Sequence, residues 1–425
     1  MPRSIFLLVG SILFFSTLVN CGKRIQSDDS SLAIGGLESH GRVKRQMMNL
    51  ATKWNGGQIN YFFTGVFEPI EKNKLMLAAM EYISNRTCIK FVENQNANQR
   101  LNILLSRYDN FFMKRHLDLF FSAAGCDSKL GAPGTRSNPS GQEVLNYGGC
   151  RRMMSSGVHE LSHSLGSIHE HARPDRDNYL IVNETEVRRS GGAAQMNTTP
   201  YGMTTLYVPF DHGSCMMYSN VMWGAPLMTT KDPAYERTLG HRRVTFYDME
   251  RINKFYNCGC AVNLECQNGG YTSPGDCKKC NCPSGYFGKL CNERRGFDSF
   301  ELNATSTWQS KKIPFQYTFT GDNYGHFHST YAYITAPANK EIEVKIDKME
   351  NITCMYGCNF AGIEVKTKED KRITSPLLCC EDQTIAKKSF VSKNNPTIVE
   401  LFSRDPTGPS AVTFSYRYVD PIRFG

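Results

Sequence analysis

The sequence predicts a multidomain chain: a mixed α+β domain, then a small disulfide-rich module, then an all-β sandwich. Three observations carry this. The chain has 425 residues, 40% hydrophobic and 11% aromatic, enough for two to three domains with real cores, which excludes a disordered tail or a peptide hormone. Six of its sixteen cysteines crowd between Cys260 and Cys291, so one segment is cross-linked rather than core-stabilised. Apolar residues recur at helical spacing in the first half and in short β-prone runs after Arg294. Forty-nine basic and forty acidic residues give a net charge of +9 without a long basic run, so no nucleic-acid partner is expected and acidic partners are favoured only weakly.

From the start, Arg3 precedes an apolar stretch, Ile5 to Val19, that ends at Asn20-Cys21, the pattern of a secretory signal over residues 1–21. The alternative is a membrane anchor, but the stretch falls short of the roughly 20 apolar residues a spanning helix needs, so no anchor is expected after signal removal. Residues 22–45 are polar and end in Arg42-Val43-Lys44-Arg45, which suits the acidic subsites of a processing protease. They read as a propeptide cleaved between Arg45 and Gln46, with a charged linker as the alternative. Asn85, Asn183, Asn197, Asn303 and Asn351 head Asn-x-Ser/Thr glycosylation sites, in keeping with a secreted, extracellular protein.

Between residues 46 and 258, Met76, Ala79, Met80 and Ile83 share one helical face over Pro69 to Asn85, and strand-like runs follow at Cys88 to Val92 and Leu101 to Leu105. A second helix is predicted from Met153 to about Leu165, stopped by Gly166. A third begins at Thr245, where Thr245 and Asp248 have capping-box spacing and Met249, Ile252, Phe255 and Tyr256 make an apolar face.

The chemistry lies in the second helix. His159 and His163 are one turn apart on one face, so both imidazoles reach a single metal, and Gly166 lets the chain turn to bring in His169. Three neutral nitrogen ligands leave a coordination position open on a zinc ion that activates water, and Glu160 is set beside the first ligand to move that water's proton. The pattern is expected by accident on the order of 10⁻⁵ times in such a chain, which sets aside three histidines merely packed on a helix. A closed structural zinc site would require a fourth protein ligand and give Glu160 no task.

The run from His159 through Glu170-His171-Ala172-Arg173-Pro174-Asp175-Arg176-Asp177-Asn178-Tyr179 resembles the zinc signature of the astacin family of metzincin endopeptidases, and Ser214-Cys215-Met216-Met217-Tyr218 resembles its Met-turn. Trp54-Asn55-Gly56-Gly57, Cys88, Gly125-Cys126, Gly149-Cys150 and Phe255-Tyr256-Asn257-Cys258 follow in family order over residues 46–258. The resemblance implies that Met216 floors the metal site, that Tyr218 is an extra zinc ligand that moves to stabilise the oxyanion, that Cys88 pairs with Cys258 and Cys126 with Cys150, and that Glu170 receives the N-terminus freed by propeptide removal. Met217 replaces the usual His of the turn, and Cys215 is left as an expected buried free thiol. The aspartate motif Phe-x-Gly-Asp, which keeps family members latent, is absent, leaving Asp28, Asp29 or Glu38 as substitutes. His171, Arg173, Asp175 and Arg176 are expected to form structural ion pairs. His40, His116, His212, His241, His326 and His328 have no ligand spacing and are expected to be solvated or locally hydrogen-bonded.

Residues 259–292 resemble an EGF-like domain, whose pairing would be Cys260–Cys277, Cys266–Cys280 and Cys282–Cys291, and residues 293–420 loosely resemble a CUB domain. Such an arrangement, of a nematode type, implies a zymogen of a zinc endopeptidase that holds one zinc and cleaves internal bonds of extracellular proteins. The two C-terminal modules would select or tether substrate. The rival from another class is a non-catalytic extracellular matrix-binding protein with a structural zinc site, and the rival among enzymes is another metzincin subclass. Substrate identity and oligomeric state are not encoded in any motif.

Overall fold

The computed structural model describes residues 47–49, 51–64, 70–105, 126–133, 141–148, 150, 153–222, 224–294, 299–315, 327–381, 388–404 and 409–421. Residues 1–45, read above as signal and propeptide, with Asp28, Asp29, Glu38 and Arg45, lie outside the described residues, as do Gln46, Gly125, Gly149, His40, His116 and His326.

The first half is built on strands β1 (Met47–Met48), β2 (Gln58–Thr64), β3 (Lys90–Glu93), β4 (Arg100–Leu104), β5 (Asp127–Ser128) and β6 (Gln142–Asn146). β3-β2-β4-β6-β5 is the order of one sheet, parallel throughout except for β5, which runs antiparallel along the edge. Ile59, Leu101, Ile103 and Leu145 alternate onto its buried face, where α1 (Ile70–Ser84) lays Met76, Ala79, Met80 and Ile83 and α2 (Met154–Ser164) lays Val158 and Leu161. Each of the Val, Leu, Ile and Met side chains contributes about 1.5–3 kcal/mol when fully buried, so this core fixes α2 as a rigid platform. Short helices α3 (Glu184–Arg189) and α4 (Ala193–Met196) follow. α5 (Phe246–Tyr256) starts with the capping box Thr245–Asp248 and buries Met249 and Ile252 in the same core.

Disulfides Cys88–Cys258 and Cys126–Cys150 tie this half together. The next segment forms a two-stranded hairpin, 271–272 with 280–281, held by Cys260–Cys277, Cys266–Cys280 and Cys282–Cys291. The C-terminal part is a β-sandwich of a five-stranded and a four-stranded sheet, with Ile313, Ile334, Val344, Ile363, Leu401 and Phe414 between them. Its disulfides are Cys354–Cys380 and Cys358–Cys379.

The three parts dock through polar contacts as well as packing. Asn253 Nδ2 donates to Tyr271 OH and Asn281 Nδ2 to the Arg86 carbonyl, both at 2.9 Å. Glu400, buried in the sandwich, accepts from Arg243 Nη2 (2.6 Å) of the first half and from Ser284 Oγ (2.8 Å) of the disulfide-rich segment. Among the described residues no helix is long and apolar enough to cross a membrane.

Candidate metal centre and active site

α2 ends where Gly166, at φ +97°, reverses the chain in a conformation an L side chain rarely adopts, and a Cβ there would also press on Ala51 and Phe255 at 3.2 Å. That reversal returns His169 to the histidines of α2. His163 Nε2 and His169 Nε2 are 3.0 Å apart, and His169 Nε2 and His159 Nε2 are 3.2 Å apart. The Nδ1 atoms of His159 and His163 lie 2.7 Å from the Cys215 carbonyl and 2.8 Å from the Ser167 carbonyl. A carbonyl only accepts, so each Nδ1 carries the proton and each Nε2 presents a lone pair.

Burial, then the repulsion that a proton on a neighbouring imidazole would add and the Arg242 charge, hold His159 and His169 well below the ordinary histidine range, and burial brings His163 down to about 4. Three converging neutral nitrogens, two of which cannot donate to a neighbour, fit a divalent cation, and nitrogen-only donors fit zinc better than a hard oxygen-seeking ion.

Glu160 follows His159 on α2 and is buried. Its Oε2 has no partner among the described residues, and its Oε1 lies 3.2 Å from Cys126 Sγ, which carries no proton in the disulfide. Burial, with the Asp127 carboxylate adding, pushes Glu160 up to about 8, while Arg242 pulls the other way. A buried carboxyl beside the triad, with one oxygen unpartnered among the described residues and a proton affinity raised toward neutral pH, is placed to take up and give back a proton.

The segment 214–218 lies against the triad, with the Cys215 carbonyl on His159 and the Tyr218 ring on His169. Met216 is fully buried in the main core, and its carbonyl accepts from Glu170 N at 2.9 Å. Tyr218 packs on His169 and His171, with ring centroids 4.3 and 4.2 Å away, and its hydroxyl donates to Gln195 Oε1 at 3.4 Å. Burial, then Glu160, push the phenol up to about 12, so it stays protonated. Cys215 is buried and unpaired among the described residues, and burial and Asp248 raise its thiol far above the usual range.

Glu170 is fully buried: Oε1 accepts from Arg173 Nη1 (2.8 Å) and Asp211 N (3.1 Å), and Oε2 from Arg251 Nη1 (2.9 Å). Met47 is also buried, bridged to Ser167. Arg173 pairs with Asp175 and Arg176 with Asp177. His171 departs from the expected ion pair: burial takes it down to about 4, and its Nε2 meets the Gln195 carbonyl, because the neighbours that pack against it are rings and a backbone oxygen. The five glycosylation asparagines are exposed.

Sequence reasoning missed Asp127, the placement of the expected Cys126–Cys150 disulfide against Glu160, and Arg242, whose charge acts on His159, Glu160 and Tyr218. It also missed the buried set Ser214, Asp248 and Arg251 under the Met-turn. None has a local spacing signature.

Fold and site together define a zinc metallopeptidase. The profile of the Astacin peptidase family matches residues 46–257. Zinc metalloproteinase nas-24 of Caenorhabditis elegans is 45% identical over 421 residues, which cover 98% of each chain. Zinc metalloproteinase nas-19 of the same organism is 44% identical over 416 residues, 97% of each chain. Among solved structures, high choriolytic enzyme 1, a hatching enzyme zinc-protease from Oryzias latipes, is 27% identical with a TM-score of 0.39, covering 49% of this chain and 94% of that one. The chain belongs to the astacin family of zinc metalloendopeptidases, and His159, His163 and His169 bind its zinc.

Proposed function

We propose that the protein is secreted as a zymogen, freed of residues 22–45 by cleavage between Arg45 and Gln46, and hydrolyses internal peptide bonds of extracellular proteins. The observation that carries the catalytic reading is the Oε2 of buried Glu160, unpartnered among the described residues, next to three converging imidazoles. When bound, zinc supplies Lewis-acid polarisation of water and of the scissile carbonyl. Glu160 takes one proton from the attacking water as its oxygen bonds to the carbonyl carbon, then gives it to the amine nitrogen as the C–N bond breaks. Tyr218 leaves Gln195 to donate its hydroxyl to the oxyanion. Met216 supports the site from the core, and Glu170 anchors the segment after His169, its place as partner of a new N-terminus resting on the family resemblance. An extended substrate can pair along the outer edge of β5, beside Glu160. Glycans at Asn85, Asn183, Asn197, Asn303 and Asn351 would project from exposed positions.

The test is Glu160→Gln in the processed protein. It should keep its zinc and its fold and lose at least about 10²-fold in cleavage of a general protein substrate. Cleavage at the parent rate with full zinc content would reject the assignment.

A further inference from the structure

We infer that the C-terminal β-sandwich is part of the active site at one remove, with Thr374 a positioning residue for the zinc ligand His159. The inference rests on the zinc-peptidase reading and adds a role that a tethering module does not have.

Thr374 sits in the loop between sandwich strands 361–365 and 377–378, and its Oγ1 donates to Asp211 Oδ2 at 3.3 Å. The contact is close. A Cβ on Gly213 would lie 2.5 Å from Thr374 Oγ1, so the loop is seated on bare backbone of the Met-turn. Asp211 Oδ1 accepts from Gly213 N (3.0 Å), and the Asp211 carbonyl accepts from Ser214 N (3.1 Å). The next residue, Cys215, offers the carbonyl that fixes His159 Nδ1 at 2.7 Å. Thus a hydroxyl of the sandwich reaches a metal ligand through a continuous chain of hydrogen bonds and two peptide links.

The same loop grips the other support of the Met-turn. Asp370 accepts from Tyr247 OH, and Arg372 Nη1 is 3.9 Å from Glu250 Oε2, both partners on α5. Between them on that helix, Asp248 holds Ser214 Oγ (2.6 Å) and Cys215 N (3.0 Å). Tyr235 OH donates to the Thr374 carbonyl at 3.2 Å and fixes the loop in register. An orienting partner one step removed from a ligand usually changes metal affinity or activity about 10–100-fold, and Thr374, further out, should act about 3- to 10-fold.

The experiment uses the processed full-length zinc protein and reads zinc loss to a chelator, kcat and KM separately, and melting temperature. Thr374→Val should speed zinc loss about 3- to 10-fold and lower kcat with KM unchanged, and Thr374→Ser should restore both. Tyr235→Phe, a gentler loosening of the same loop, should move them in the same direction if the valine variant does not fold. Tyr333→Phe, which removes a donor to the Gly285 carbonyl away from the Met-turn, should change melting temperature alone. A folded Thr374→Val or Tyr235→Phe protein with parent zinc loss and kcat overturns the inference. A parent protein that binds no zinc would instead overturn the reading beneath it.

Discussion

An imidazole offers Nε2 to a metal only while Nδ1 holds the proton, and the Cys215 and Ser167 carbonyls settle that for His159 and His163 without any charged partner. Tyr218 is set by other means: its ring lies on His169 and His171, and burial keeps its hydroxyl a donor up to about pH 12. Tyr218→Phe preserves the ring packing and deletes only that donor, so kcat should fall about 10²-fold with zinc content unchanged, as measured by steady-state kinetics and metal analysis. Cys215 presents the opposite case. Among the described residues seven disulfides leave Cys215 unpaired, and its thiol is buried and held protonated. A thiol reagent should therefore find no reactive group in the native mature protein and one after denaturation in urea. Labelling of the native protein at the unfolded rate would show that the site opens.

At the scale of elements, α5 supports the active site indirectly, by holding the Met-turn that in turn holds His159. Asp248 caps the helix through Thr245 N (2.8 Å) and at the same time receives Ser214 Oγ, Cys215 N and Arg251. Asp248→Ala removes the cap, worth about 1 kcal/mol, and leaves the buried Arg251 with Glu170 as its remaining carboxylate. Breaking such a pair costs about 3–5 kcal/mol, so the urea midpoint should fall by a large part of the protein's stability. The capping half of this was legible in the sequence because Thr245 and Asp248 are three residues apart. So were His159 and His163 at one helical turn and Gly166 as the stop, since local spacing fixes geometry within an element. The Ser214–Asp248 and Glu170–Arg251 contacts join residues 34 and 81 apart, and no periodicity encodes which distant elements meet. His171 was misread for the same reason: its ring partners come from the Met-turn and from His169, and only the folded chain brings Tyr218 against it.

Across the whole molecule, the sandwich strands could be read from β-prone runs, whereas their docking onto the first half depends on single polar residues scattered through three parts. The centre of that junction is Glu400. It is fully buried and accepts from Arg243, Ser284 and Ser329, and Lys366 Nζ lies 3.6 Å away. Burial alone would raise Glu400, but the Arg243 and Lys366 charges outweigh it and hold the carboxyl well below its ordinary value of 4.5. A carboxyl depressed in the folded state binds fewer protons there than in the unfolded chain once the pH drops below that ordinary value. Its contribution is therefore complete above about pH 4.5 and is lost progressively as the pH falls toward the folded pKa. Each pH unit in that window should cost about 1.4 kcal/mol from this one group. Glu400→Gln keeps the shape and hydrogen-bonding reach but cannot titrate. The variant should be less stable than the parent at pH 7, because Arg243 loses its buried counter-charge, and the gap should narrow from pH 4.5 downward as the parent's carboxyl is neutralised. Urea unfolding of both proteins at pH 7, 5, 4 and 3 measures this directly, and parallel curves across that range would mean that Glu400 is not the acid-sensitive joint between the sandwich and the catalytic half.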